Sequence, residues 1–398
     1  MKLKMKVLHI CSSDFGGAGL CCLRINDALK KAGIESNVLV LIRKSGRDDV
    51  HDLGYYRWFF WRLLNKCIRL LGLSLNDFNR IRKLIKQLHI ALSLPTSIFD
   101  VSKSNLVKEA DIIHLHWVGD FVDLPSFSKK VNKPIVWTLH DENLFCGIRH
   151  YEEPALNSPL ESKYYEIKLK SIKRINNLGI VFLSNMMYES FYNREMVKGR
   201  QMTIINNSVD YEAFKPLDKQ QTRHLLGINN ESIVFVFVAA SINDKRKGLD
   251  LLSETLQRMN IPDAVILAVG DNKDGIKRKN VISIGAKNSS DELCAAYSCG
   301  DFFVMPSKKE AFAQTPLEAM ACGLPVVAFP VSGTEELIND NNGVTCDGFT
   351  SESLEKGLRT AMNRNYSSEY IRQYIIENFS PEVMAEKYKK FYGEIIKG

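Results

Sequence analysis

"PSKKEAFAQTPLEAMACGLPVVAF", residues 306 to 329, follows directly on the apolar run FFVM at 302–305, and that order decides how the chain is read. A β-type run ends at Pro306 and a loop carrying Glu310 follows. A short helical pattern over 316–322 stops at Gly323, before a second apolar run from Val326 to Phe329. Thr315 is placed to cap that helix, Pro316 suits its first position, and Gly323 suits the turn past its end. Strand, loop, helix and strand in that order form a parallel α/β unit. Ligands of such sheets bind beyond the carboxyl ends of the strands, which is where Glu310 and Glu318 stand. Taken singly, each acid has a plain explanation. Thr315-x-x-Glu318 fits a capping box, and Glu310 reads as a solvated loop acid. Taken together they suggest a site in which a diphosphate meets the amides of the helix start and two carboxylates accept hydroxyls on either side.

The same alternation extends in both directions. Met5 to Cys11 is an apolar run, followed by a glycine turn at 16–19, a helical pattern from Leu20 to Ala32 and another run from Ser36 to Ile42. Further buried-strand candidates are 112–116, 135–139 and 180–183, and a second series lies at 233–239, 264–269, 281–284, 302–305 and 326–329. The pattern predicts an α/β chain of two Rossmann-like domains facing each other across a cleft. An N-terminal domain covers 1–206 and a C-terminal one 207–380, joined near "IINNSVDYEAFKP" at 204–216. The last helix, 381–397, is a candidate to pack back on the first domain.

A chain of 398 residues suits two domains, and 45% hydrophobic with 25% charged residues is globular composition. The net charge of +7 favours acidic partners such as phosphate groups or anionic lipid. Nine cysteines without a CxxC pair or metal-ligand spacing predict free thiols in a reducing compartment. The N-terminal run is too short for a signal peptide, so a cytoplasmic location is expected.

The first glycine turn, Gly16-Gly17-Ala18-Gly19, matches a dinucleotide fingerprint only in part. Cys22 takes the place of the third small residue, and the second strand leads into Arg43 and Lys44 rather than an acid. Gly16 and Gly17 still let a ligand approach the backbone. A tight turn with no ligand is the plain alternative. An NADP-dependent oxidoreductase would explain the glycines and Arg43 but leaves the second half unexplained.

Here a resemblance becomes specific. "PSKKEAFAQTPLEAMACGLPVVAF" resembles the donor-site motif of family 4 retaining glycosyltransferases, which have the GT-B fold. GGA at 16–18, "WTLHD" at 137–141, "IINNSVDYEAF" at 204–214 and "RKG" at 246–248 follow in the family's order, and the likeness is weakest over 44–105. The resemblance implies that Glu310 holds hydroxyls of the transferred sugar and Glu318 the nucleotide ribose. It gives the amides of Phe312, Ala313, Gln314 and Thr315 to the sugar and diphosphate, and His140 to the donor sugar near the reacting centre. His114 and His116 of "HLHW" have a weaker claim, as acceptor-side or structural groups.

Lys247 can neutralise a diphosphate leaving group as a point charge. The arginine that the family carries several residues earlier is replaced by Ser241, which leaves Arg246 as the substitute. With no DxD and no cluster of metal ligands in the sequence, the expectation is no metal and no cofactor beyond the nucleotide-sugar substrate.

"YYRWFFWRLLNKCIRLLG" at 55–72 carries too many charges to span a membrane. On a helix, Arg62, Lys66 and Arg69 share one face, and Phe59, Leu63 and Leu70 lie on the other. With Trp58 and Trp61 at headgroup level, such a helix can lie on an anionic leaflet. A helix covering the first domain's core is the alternative, and no nucleic-acid motif accompanies the basic residues.

The expected activity is retaining transfer of a sugar from a nucleotide diphosphate sugar to an acceptor hydroxyl. The expected acceptor is a lipid-linked glycan of bacterial surface polysaccharide synthesis, met at the inner membrane face by a peripheral enzyme. A soluble acceptor, a sugar-nucleotide epimerase and a non-catalytic membrane-docking module are the alternatives.

Overall fold

The computed structural model describes residues 5–53, 84–85 and 91–397, except 154, 274, 276 and 288. Trp58, Trp61, Arg62, Lys66 and Arg69, and with them the membrane helix expected from the sequence, lie outside the described residues.

Two separate parallel sheets organise the chain. The first has strands β1 (Lys6–Ser13), β2 (Glu35–Ile42), β3 (Val50–Asp52), β4 (Ile112–Leu115), β5 (Ile135–Thr138), β6 (Leu178–Phe182) and β7 (Gln201–Ile204). Their order is β3-β2-β1-β4-β5-β6-β7. The second has β8 (Ile233–Ser241), β9 (Ala264–Asp271), β10 (Val281–Ser283), β11 (Phe302–Met305), β12 (Val326–Ala328) and β13 (Gly343–Thr345), in the order β10-β9-β8-β11-β12-β13. Each is a Rossmann-like doubly wound sheet whose strand order reverses once, beside β1 in the first and beside β8 in the second. Such reversals open a crevice at the carboxyl edge of a sheet.

The strands form where apolar residues run almost without interruption, as sheets covered on both faces require. Val7, Leu8, Ile10 and Cys11 of β1 are all buried, as are Val234, Phe235, Val236 and Phe237 of β8. Burying one such aliphatic or aromatic side chain contributes about 1.5–3 kcal/mol. The strands β3, β7 and β13 were not expected. They are edge strands of three or four residues that include His51, Gln201 and Thr345, and so lack a long apolar run.

One compact unit runs over residues 1–183 and 187–205 and takes in 385–398; the other covers 184–186 and 206–384. The terminal helix, Pro381–Lys397, seats against β6 because Gly179 has no side chain. A Cβ there would lie 2.5 Å from Ile395 Cδ1 and 2.8 Å from Phe391 Cζ. Tyr388 and Tyr392 of this helix are buried, with hydroxyls 2.9 Å from Thr138 Oγ1 and 2.7 Å from His114 Nδ1.

The first helix spans Gly16–Lys31 and not Leu20–Ala32, so the glycine turn is itself helical. The reason is packing. A Cβ on Gly19 would stand 2.6 Å from the Ser13 carbonyl oxygen, so the helix passes close over the end of β1 only with glycine there.

Candidate active site

In the second unit the sequence element Arg246-Lys247-Gly248 forms a turn after β8. Gly248 has φ +83°, and a Cβ on it would lie 2.3 Å from the Pro306 carbonyl oxygen. The left-handed glycine therefore lets this turn press against the end of β11. That contact brings the two basic residues to Glu310. Lys247 Nζ lies 2.5 Å from Glu310 Oε1, and Arg246 Nη1 lies 3.5 Å from the same oxygen. Arg246 Nη1 also donates to the Lys309 carbonyl at 2.7 Å, and Nη2 pairs with Asp244 at 3.3 Å. Glu310 keeps only 10% of its side chain accessible, against 35% for Arg246, so the carboxylate sits below the two cations. Ser241 closes β8 and places no charge there.

The loop that follows is held by its backbone. Asn207 Nδ2 donates to the Phe312 carbonyl at 3.1 Å, and Ser332 Oγ donates to the Ala311 carbonyl at 2.5 Å. Phe312 is buried, its ring beside Phe379 and against Gly333. Asn207 and Ser332 had no assigned role in the sequence reading. The "INN" of 205–207 was legible as a motif, but its partner lies 105 residues away.

Glu318 corrects one expectation. The helix runs Thr315–Ala321 with Gln314 at its N-cap and no side-chain capping bond, so Thr315 and Glu318 form no capping box. Glu318 is buried and accepts from the Tyr297 hydroxyl at 3.1 Å. Tyr297 comes from a neighbouring helix, Ser290–Ser298. The far end of the helix is as expected: Gly323 has φ +78° after the Cys322 C-cap, with the Leu324 amide bonding the Ala319 carbonyl.

The carboxyl edge of the first sheet is built from rings. In the register of β1 with β4, His9 pairs with His114, which sets His9, His114 and His116 on one face. His9 Nδ1 lies 2.8 Å from His116 Nε2, and His116 Nδ1 lies 2.9 Å from His140 Nε2. Burial pushes the imidazoles down, His9 to about 3 and His140 to about 4, the latter against the opposing charge of Asp141. Burial, with the neighbouring rings, lowers His114 and His116 well below the ordinary histidine value. All four are therefore neutral at pH 7. Asp141, the last residue of "WTLHD", accepts from Trp117 Nε1 at 2.9 Å and pairs with His150 Nδ1 at 2.6 Å. Burial acts to raise its carboxyl, but His150 with the surrounding hydrogen bonds brings it below the ordinary range. Lys168, fully buried and pushed down to about 8 by that burial, donates to the Cys146 carbonyl at 2.8 Å and so fixes the loop after His140.

Gly16, with φ +72°, and Gly17 stand at the start of the first helix, where a Cβ on either would meet nothing within 4 Å. Asp14 just before them accepts from the amides of Lys44 at 2.8 Å and Ser45 at 2.7 Å, tying the end of β1 to the end of β2. The predicted donor-side residues follow the ends of strands, His140, Gly16 and Gly17 in the first sheet and Lys247, Arg246, Glu310, residues 312–315 and Glu318 in the second. Among the described residues one set of potential metal ligands comes together: His9, Cys22 and His116, with donor atoms within 4.8 Å. The sequence shows no such cluster because the three residues come from separate elements. The facing nitrogens of His9 and His116 are already hydrogen-bonded to each other.

Residues 218–378 match the family model described as glycosyl transferases group 1. Sulfoquinovosyl transferase SQD2 of Arabidopsis thaliana is 31% identical over 295 residues, which is 71% of this chain and 55% of that protein. The chain thus spans about half the length of that plant relative. An alpha-galactosylglucosyldiacylglycerol synthase of Streptococcus pneumoniae is 26% identical over 325 residues, 74% of this chain and 82% of its own. Among solved structures, Anabaena HepE in complex with UDP and glucose superposes with a TM-score of 0.66 at 18% identity, over 98% of this chain and 100% of that one. Two doubly wound sheets and the match to HepE give the chain the GT-B fold, and its second half, residues 218–378, matches the group 1 glycosyl transferases.

Proposed function

We propose that this glycosyltransferase moves a sugar, with retention of configuration, from a nucleotide diphosphate sugar to a hydroxyl of a lipid-linked glycan at the inner face of the plasma membrane. The observation that carries the reading is the Lys247–Glu310–Arg246 cluster at the carboxyl edge of β8 and β11. Two cations beside one recessed carboxylate suit a ligand with a diphosphate next to a sugar. The phosphate oxygens pair with Lys247 and Arg246, and Glu310 accepts sugar hydroxyls.

The chemistry asked of the protein is mainly positioning and leaving-group stabilisation. The bond from the anomeric carbon to the diphosphate oxygen breaks as the bond to the acceptor oxygen forms on the same face. The acceptor's proton passes to the departing diphosphate, whose charge Lys247 and Arg246 balance. The Ala311–Thr315 main chain, pinned by Asn207 and Ser332, needs no reordering when a donor binds. Glu318 takes the ribose, oriented by Tyr297. The acceptor assignment is supported by the resemblance, by the basic aromatic segment 55–92 and by a relative whose name is that of a diacylglycerol glycolipid synthase.

A thermal-shift series with UDP-, GDP- and ADP-sugars tests the donor. A ligand bound only by the native state raises stability by about 2.7 kcal/mol at one hundred times its Kd. One nucleotide class is expected to raise the melting temperature of the wild type and to lose that effect in Lys247→Ala. No shift with any of them refutes the donor assignment.

A further inference from the structure

The histidines at the edge of the first sheet are linked end to end, and the linkage restricts where their protons sit. Each ring is neutral and carries one N–H. His116 uses both nitrogens, Nε2 toward His9 Nδ1 and Nδ1 toward His140 Nε2. A hydrogen bond between two ring nitrogens needs one N–H and one bare nitrogen, so only two arrangements satisfy both contacts. Either all three rings are protonated at Nδ1, or all three at Nε2.

The buried end chooses between them. His9 is fully buried and its Nε2 has no hydrogen-bond partner. The Cys22 thiol grouped with His9 and His116 is hydrogen-bonded to Cys11 instead, so nothing accepts from or donates to His9 Nε2. An orphaned buried N–H is the rarer and costlier defect. The Nδ1 arrangement avoids it.

We infer that His9 and His116 are positioning residues that set His140 as its Nδ1–H tautomer, so that His140 presents a hydrogen-bond donor, and never a base, to the oxygen of the ligand that reaches it. His140 Nδ1 has no partner among the described residues. With Nδ1 protonated and Nε2 engaged by His116, His140 offers no nitrogen to take up a proton. His114 stands outside the chain, its nitrogens on Tyr392 at 2.7 Å and Thr138 at 2.8 Å, with its ring centroid 4.2 Å from that of His116.

The tautomer of His140 in the unliganded full-length protein is read from the side-chain nitrogen shifts of histidine-labelled samples. This readout stands apart from glycosyl transfer, whereas the kinetic consequence rests on that function. The expected result is Nδ1–H in the wild type and a mixture of tautomers in His9→Leu. His9→Asn, whose amide can replace Nδ1–H toward His116, should restore the single form. In a transfer assay His9→Leu should lower kcat on the order of tenfold, the scale of one hydrogen bond, with the KM for nucleotide sugar held within about twofold. His114→Asn is the structural comparison: its melting temperature falls while the His140 tautomer stays. Nε2–H at His140 in the wild type overturns the direction of the chain. An unchanged tautomer in His9→Leu, with only a lower melting temperature, overturns the positioning role. A correct tautomer pattern in a protein that transfers no sugar removes the proposed function and leaves the chain standing.

Discussion

In the first sheet three neutral rings, His9, His116 and His140, are joined nitrogen to nitrogen, whereas at the carboxyl edge of the second the Glu310 carboxylate lies beside two cations. The first arrangement is complete before any ligand arrives. Its protons and orientations are fixed by β-strand register and by burial, and changing one ring disturbs the next. The second is provisional. Glu310 and Lys247 pair at 2.5 Å with partial exposure, so a phosphate and a hydroxyl can each take one of them over. One edge suits recognition of a neutral reacting group, and the other suits a charge that grows and leaves.

The largest effects are therefore expected at the second edge. Lys247→Ala and Glu310→Gln should each lower kcat/KM by roughly 10²–10³, the scale of one electrostatic contact to a transition state. Circular dichroism should show the fold retained. Activity near wild type in either variant removes that residue from the site. Glu318→Gln should be milder, raising the donor Kd by about tenfold with little change in melting temperature, because the amide oxygen can still accept from the Tyr297 hydroxyl. A large stability loss at unchanged donor affinity would favour a purely structural role.

The first edge should show itself in stability against pH. His9 and His140, at about 3 and about 4 when folded, bind protons far more weakly than in the unfolded chain, where the ordinary value is 6.5. The unfolded state therefore takes up more protons below that value. Stability is present in full above about pH 6.5 and lost as pH falls toward 4, by up to about 1.4 kcal/mol per pH unit for each such ring. Urea titrations at pH 7, 6 and 5 measure it. A flat profile over that range contradicts the neutral buried chain.

A separate effect is expected on membrane association. Each basic group near an anionic surface contributes about 1 kcal/mol, weakened by salt. Changing Arg62, Lys66 and Arg69 to glutamate should release the protein from anionic vesicles while donor binding stays intact. A wild type that ignores such vesicles at low salt favours a soluble acceptor.

What the sequence disclosed follows the same division. The long apolar runs that became β1, β8 and β11 were readable to within a residue or two, because a strand buried on both faces admits little else. Glu310 and Lys247 were readable as candidates, since both lie in loops directly after such strands. Their pairing was not, because 63 residues separate them and only the contact of Gly248 with Pro306 brings them together. Glu318 looked like a cap because a local partner stood at the right spacing, while its real partner, Tyr297, comes from another helix. The histidines were visible one by one in "HLHW" and "WTLHD". His9 carried no mark at all, and only the β1–β4 register joins it to the others.

The most direct test is the release of nucleoside diphosphate from a nucleotide sugar, followed by NMR of the sugar product at its anomeric centre. With wild-type protein and a lipid-linked acceptor, one nucleotide sugar should be consumed and the product should keep the donor's anomeric configuration. Lys247→Ala should release almost none, and turnover should persist in EDTA because Lys247 and Arg246 carry the leaving-group charge. Inversion at the anomeric carbon would contradict transfer with retention, and release by Lys247→Ala at the wild-type rate would contradict the reading of the second edge as the place where the diphosphate departs.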